Sequence, residues 1–147
     1  MVDTVLVTGI SGYIASHVAR KLLDLGYNVR GTVRDAAKGQ RIVDALSADG
    51  ADVSRLELVK ADLGADAGWA AAAAGCRYIQ HIASPFPMEA PDNREALVPE
   101  ARAGAQRVLE PVSQLRQHVI RNIGGVLGDE INANPLGPDQ TRYLFDL

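Results

Sequence analysis

The sequence predicts a doubly wound α/β domain built on a parallel sheet, shortened and carrying an atypical C-terminal tail. Three observations carry that prediction. The apolar segment Thr4-Val5-Leu6-Val7-Thr8 runs directly into Gly9-x-x-Gly12-x-x-Ala15 and then into an amphipathic helix. Strand-like and helix-like segments alternate along the rest of the chain, as parallel β-α-β units with right-handed crossovers do. Glycines stand where two of the helices should stop, at Gly26 and Gly75.

Each element follows from local pattern. Asp3 to Thr8 is a short apolar strand. Tyr13 to Leu25 is a helix whose apolar residues Ile14, Val18, Leu22 and Leu25 recur at three and four. Asn28 to Arg34 alternates as a strand, with Val29, Gly31 and Val33 on one side. Ala36 to Ala48 is a helix expected to bury Ile42, Ala45 and Leu46, and Arg55 to Lys60 is a third strand. Asp66 is placed to cap a short helix through Ala74, on which Trp69 packs against the sheet. The alanine run Ala70 to Ala74 fits helix, since alanine has the best helix propensity. Arg77 to Ile82 is a fourth strand, and Asn93 to Leu109 is a long helix with Leu97, Ala101, Ala105 and Val108 in register. A cofactor domain over 1–111 is expected, followed by a tail over 112–147.

Composition narrows the function classes. The 147 residues are 47% hydrophobic and 22% charged, which is the balance of a globular domain. A net charge of −3 provides no basic excess for displacing counterions from a duplex, so nucleic acid is not an expected partner. The single Cys76 makes an internal disulfide impossible and suits a reducing cytoplasm; a small buried apolar role is expected for it. No charged-then-apolar leader opens the chain, and no apolar run reaches the ~18 residues of a membrane span.

The glycine turn carries the chemistry. Between a strand and a helix, Gly9 and Gly12 let main chain approach a ligand, and the exposed amides with the helix dipole bind a pyrophosphate. Ala15 takes the third, packing position, where a methyl is tolerated. No Gly-Lys-Ser/Thr follows, so a nucleotide-hydrolase phosphate loop is excluded. At the end of the second strand an acid would serve the ribose hydroxyls of NAD. Here Arg34 follows Val33, with Lys38 four residues on. A guanidinium clamps a 2′-phosphate through charge-assisted bonds of ~1.5–3 kcal/mol, a preference for NADP of roughly ten- to a hundredfold. Asp35 offers the opposite role, holding ribose hydroxyls. Asp62, beside Leu63, either accepts from an adenine amino group or forms a capping turn. Ala83, Ser84 and Pro85 follow the fourth strand, where small residues let a dinucleotide lie on the strand ends. His81 fits a satisfied core residue and His17 a helix surface.

Four stretches together resemble a known family: Val7-Thr8-Gly9-x-x-Gly12-Tyr13-Ile14, Gly26-Tyr27-x-Val29-Arg30-Gly31-Thr32-Val33-Arg34-Asp35, Ala61-Asp62-Leu63, and Gly75-Cys76-x-Tyr78-Ile79-x-His81-Ile82-Ala83-Ser84-Pro85. They are similar to the extended short-chain dehydrogenase/reductases of Rossmann fold, nearest the dihydroflavonol-reductase-like aldehyde and ketone reductases. The resemblance covers about Met1 to Pro111. It implies hydride transfer from NADPH to a small carbonyl substrate. It assigns Gly9, Ser11, Gly12, Tyr13 and Ile14 to the pyrophosphate, Arg34 and Lys38 to the 2′-phosphate, Asp62 and Leu63 to the adenine, and Ala83, Ser84 and Pro85 to the inner ribose.

One departure is severe. Family members carry a serine and a Tyr-x-x-x-Lys further along; the tyrosine donates the proton, the lysine lowers its pKa and the serine polarises the carbonyl. None of Tyr13, Tyr27, Tyr78 and Tyr143 has a lysine four residues later, and no lysine follows Lys60. No residue therefore receives a catalytic role. Ser113 and His118 lack a partner acid, and Asp139 and Asp146 are too isolated for a metal site. In the tail, His118 to Ile123 reads either as a substitute fifth strand or as helix; Asn132 to Gly137 is turn-like, and Thr141 to Leu147 suits a short edge strand. Three readings follow: a reductase of this family, a noncatalytic NADP-binding or redox-sensing module, or a shortened product without stable function.

Overall fold

A computed structural model describes residues 1–85, 93–115 and 118–120. Its strands are β1 (Thr4–Val7), β2 (Asn28–Val33), β3 (Leu56–Lys60), β4 (Tyr78–Gln80) and β5 (His118–Ile120). Its helices are α1 (Tyr13–Asp24), α2 (Ala36–Ala48), α3 (Trp69–Ala73) and α4 (Val98–Leu115), with 3₁₀ turns at Val53–Arg55 and Arg94–Leu97. The sheet runs in the order β3-β2-β1-β4-β5 with every pair parallel. The chain steps outward from β1 through β2 to β3, then crosses back to β4. The switch point therefore lies between the carboxyl ends of β1 and β4, where open parallel sheets bind ligands.

β1 is apolar throughout because both of its faces are covered. Val5 and Val7 belong to a cluster with Ile10, Val29, Val33 and residues of α1 and α2. Leu6 points the other way, into a cluster with Ile79, Trp69, Cys76 and Val108. Alternation along one strand thus feeds two cores, giving helix, sheet and helix layers. Gly31 leaves room for the Ile10 side chain, which a Cβ there would meet at 2.6 Å.

The helices depart from the expected faces in instructive ways. α1 buries Ala15, Ala19, Leu22 and Leu23, whereas Ile14 and Leu25 are about half exposed and Val18 is partly buried. The glycine turn sets α1 so close to the sheet that only methyl groups fit its first two turns, which rotates the buried stripe away from Ile14. In α2, Gly39 and Leu46 are buried while Ala45 is exposed. A Cβ on Gly39 would meet Leu58 at 2.8 Å, so the contact runs along a 39–42–46 seam that bypasses Ala45.

Asp66 does not cap α3. The N-cap is Gly68, with φ +92°, and a Cβ there would stand 2.3 Å from the Lys60 carbonyl oxygen. Asp66 instead pairs with Arg107. Trp69 is buried on the sheet as its size demands. Arg30 joins the far end of this layer: its guanidinium pairs with Glu57 at 2.7 Å and donates to the Ala72 carbonyl at 3.1 Å, holding the end of α3. Cys76 is buried with its thiol donating to the Ala72 carbonyl, and burial raises its pKa.

The last helix lies further along the chain than the expected Asn93 to Leu109, starting five residues later and ending six later. α4 begins after the 3₁₀ turn that holds Leu97 and passes through Pro111 to Leu115. Of its expected core face, Ala105 and Val108 are buried. Residues 118–120 form a strand, Tyr78 pairing with His118 and Gln80 with Ile120. The turn at 132–137 and the strand at 141–147 lie outside the described residues.

Candidate functional site

Two loops meet at the switch point, those after β1 and β4. The first leaves β1 at Thr8 and turns at Gly9, whose φ of +68° favours glycine. A Cβ on Gly9 would stand 2.9 Å from the Ala83 Cβ, so the missing side chain lets this loop touch the loop after β4. The Gly9 amide donates to Thr32 Oγ1 at 2.9 Å and the Ile10 amide to the Thr32 carbonyl at 3.0 Å, tying the turn to β2.

Thr8 is the hub of this junction. Its Oγ1 accepts from the amides of Ile82 at 2.9 Å and Ala83 at 3.0 Å, and lies 3.0 Å from His81 Nδ1. A hydroxyl has two lone pairs and one proton. With both lone pairs engaged, the proton goes to Nδ1, so the His81 ring is neutral and carries its own proton on Nε2. Burial lowers the His81 pKa, which agrees with that state. His81 is the core residue that the sequence implied.

The turn then opens α1. Gly12 is the N-cap and supplies no side chain, and the first turn contains no acid. The first amides of α1 therefore face outward without an internal acceptor, with the positive end of the dipole behind them. Ser11, Gly12, Tyr13 and Ile14 are all exposed here. His17 sits on the helix surface, its Nδ1 donating to the Tyr13 carbonyl at 2.8 Å.

α2 is the opposite case. Asp35 caps it, Oδ1 accepting from the amides of Ala37 at 2.8 Å and Lys38 at 3.4 Å. The acid that competed for a ribose is thus spent on its own helix. Arg34 and Lys38 are exposed beside it, and their side chains make no hydrogen bond or ion pair among the described residues.

The loop after β3 is held from within. The Trp69 indole N–H is shared between the carbonyls of Asp62 and Ala65, each at 3.0 Å. Asp62 Oδ1 accepts from the Gly64 amide at 2.9 Å, so the turn reading of this residue is present, while its carboxylate stays exposed at the loop surface. After β4, Ala83 and Pro85 are half-buried and Ser84 is exposed. All the expected residues lie at the carboxyl ends of β1 to β4, on the loops there or, for Tyr13, Ile14 and Lys38, in the first turns of α1 and α2.

A family model described as "NAD dependent epimerase/dehydratase family" matches residues 5–125. The chain belongs to that family. Among its curated relatives, dihydroflavonol 4-reductase of Dianthus caryophyllus is 34% identical over 136 residues, covering 91% of this chain and 38% of the relative. Similar solved structures include vestitone reductase from alfalfa, 29% identical with a TM-score of 0.59, covering 80% of this chain and 33% of that one. Gre2 from Candida albicans, solved with NADPH, is 28% identical with a TM-score of 0.65, covering 82% and 36%. These relatives bear out the resemblance to extended short-chain dehydrogenase/reductases and the Rossmann fold. The chain spans about two fifths or less of the length of these relatives. Among the described residues, no helix is long and apolar enough to cross a membrane.

Sequence reasoning passed over Thr8 and Thr32 as site residues. A threonine inside an apolar run, immediately before the glycine turn, was the available signal. Arg107, which donates to the Leu63 carbonyl at 2.7 Å, had no local signal at all.

Proposed function

We propose that this chain forms the NADPH-binding part of a reductase that acts on an aldehyde or ketone. The observation that carries the reading is the contrast between two helix ends: α1 presents open amides, whereas α2 is closed by Asp35 and flanked by the free cations Arg34 and Lys38. Gly9, Ser11, Gly12, Tyr13 and Ile14 line the pyrophosphate; the Gly9 and Gly12 amides are engaged within the turn, so the open amides of Ser11, Tyr13 and Ile14 are the donors. Arg34 and Lys38 hold the 2′-phosphate, Arg34 by a two-bond clamp and Lys38 as a point charge. The Asp62 carboxylate and Leu63 amide face the adenine, and Ala83, Ser84 and Pro85 lie along the inner ribose. Bound NADPH supplies the hydride; the residues here bind, orient and exclude water.

Proton donation to the carbonyl oxygen is a separate task, and no Tyr-x-x-x-Lys occurs in the 147 residues. We therefore propose that these residues by themselves bind NADPH without enzymatic turnover. Calorimetric titration with NADPH and NADH, followed by a turnover assay on aromatic aldehydes, tests both parts. The expected result is tighter binding of NADPH than NADH and no multiple turnovers. Equal affinity for the two coenzymes defeats the 2′-phosphate assignment, and sustained turnover defeats the separation of binding from chemistry.

A further inference from the structure

We infer that Arg107 of α4 is a positioning residue that presets the loop after β3 for an adenine base. The inference rests on the NADPH reading above. Arg107 reaches that loop by two bonds: one guanidinium N–H donates to the Leu63 carbonyl at 2.7 Å, and Nε pairs with the exposed Asp66 carboxylate. Gly104, one turn earlier on α4, adds a packing contact, since a Cβ there would meet the Leu63 side chain at 3.3 Å.

Peptide planarity turns these contacts into orientation. In a trans peptide the carbonyl and the following amide point in opposite directions. Trp69 draws the Asp62 carbonyl inward, which turns the Leu63 amide outward; among the described residues that amide has no partner. Arg107 holds the Leu63 carbonyl, which turns the Gly64 amide toward Asp62 Oδ1, its acceptor at 2.9 Å. The Asp62 carboxylate is thereby fixed beside the outward Leu63 amide. One acceptor next to one donor is the complement of an adenine edge, with its amino group and ring nitrogen. Arg107 touches neither the base nor the phosphates; it acts through the Leu63–Gly64 peptide.

The test uses the full chain and the adenine half of the coenzyme. Trp69 is the single tryptophan, and its indole N–H is bonded to the same loop, so its emission reports the loop directly. If Arg107→Ala leaves the loop in its preset form about one tenth of the time, the dissociation constant for 2′,5′-ADP rises about tenfold. Affinity for nicotinamide mononucleotide stays unchanged, Trp69 emission shifts to longer wavelength, and Arg107→Lys restores part of the loss. Asp66→Ala removes one exposed ion-pair partner and costs about two- to fivefold, with the fold intact. Wild-type affinity for 2′,5′-ADP in both Arg107→Ala and Asp66→Ala overturns the inference, as does an equal loss for both half-coenzymes. A wild-type chain that binds no 2′,5′-ADP sinks the NADPH reading itself, whereas binding that ignores Arg107 sinks only the positioning role.

Discussion

Replacing Thr8 with valine preserves shape and removes one oxygen. That oxygen accepts from two amides and donates to His81 Nδ1, so three partners lose their match at once. Each stranded N–H costs about 1–3 kcal/mol when buried. Ile82 and Ala83 are half-buried, so water recovers part of the loss, and the expected total is about 2–4 kcal/mol. For a chain of this length that lowers the melting temperature by roughly 6–16 °C. Urea unfolding monitored by Trp69 emission measures it, with Thr8→Ser as the companion variant that keeps the hydroxyl and loses only a methyl. Because Ala83 to Pro85 hang from the same oxygen, Thr8→Val also weakens NADPH binding, whereas Thr8→Ser preserves it. A loss below about 1 kcal/mol for Thr8→Val, the worth of one ordinary hydrogen bond, refutes the hub.

Three further outcomes follow from the same geometry. Arg34→Ala weakens NADPH by roughly ten- to a hundredfold, the worth of a charge-assisted clamp, and leaves NADH unchanged in parallel titrations; equal losses refute the role. Gly9→Ala combines an αL cost of about 1–2 kcal/mol with overpacking of about 1–3 kcal/mol against Ala83, so it destabilises by about 2–5 kcal/mol in urea titration. His81 makes stability fall in mild acid. Its ordinary value is 6.5 and burial lowers it in the folded chain, so above 6.5 both states are neutral and the full stability is present. As pH falls from there through the folded value, the unfolded chain takes up a proton that the native state refuses, and stability drops. His81→Asn flattens that limb of the urea midpoint against pH; an unchanged limb shows that other groups produce it.

The parts of the fold that sequence made legible are those set by near neighbours. β1 is a continuous apolar run because both its faces are buried, and Gly9 and Gly12 announce the turn because only local conformation requires them. Periodicity misjudged α1, since it ranks residues by hydrophobicity and selects Ile14, whereas close approach to the sheet selects Ala15 and Ala19. Asp66 has the chemistry of a cap, but Arg107, 41 residues away, claims it. The site divides in the same way. Arg34 and Asp62 follow strands and could be found by counting. The bonds that hold the loops after β4 and β3 join residues 73 to 75 apart at Thr8 and 44 apart at Arg107, and no spacing rule reaches that far.

On the proposed reading, the two helix ends explain why one chain can carry a grip on a coenzyme independently of any chemistry done with it. A capping carboxylate is worth about 1 kcal/mol to its helix. α2 takes that stabilisation from Asp35, and in doing so draws the acid's Oδ1 away from the neighbouring cations. α1 forgoes it at Gly12, and its open amides are the complement of a pyrophosphate. One residue swap would reverse the pattern: an acid at position 12 would fill the anion's place from within. Grip of this kind needs only backbone direction and two exposed cations, all supplied between β1 and the start of α2. Proton delivery needs a hydroxyl of tuned pKa held over the substrate, a requirement that the glycine turn and its cations do nothing to meet. The two capacities are therefore separable on this scaffold, and the titration of a half-coenzyme is a sharper probe of these residues than any rate.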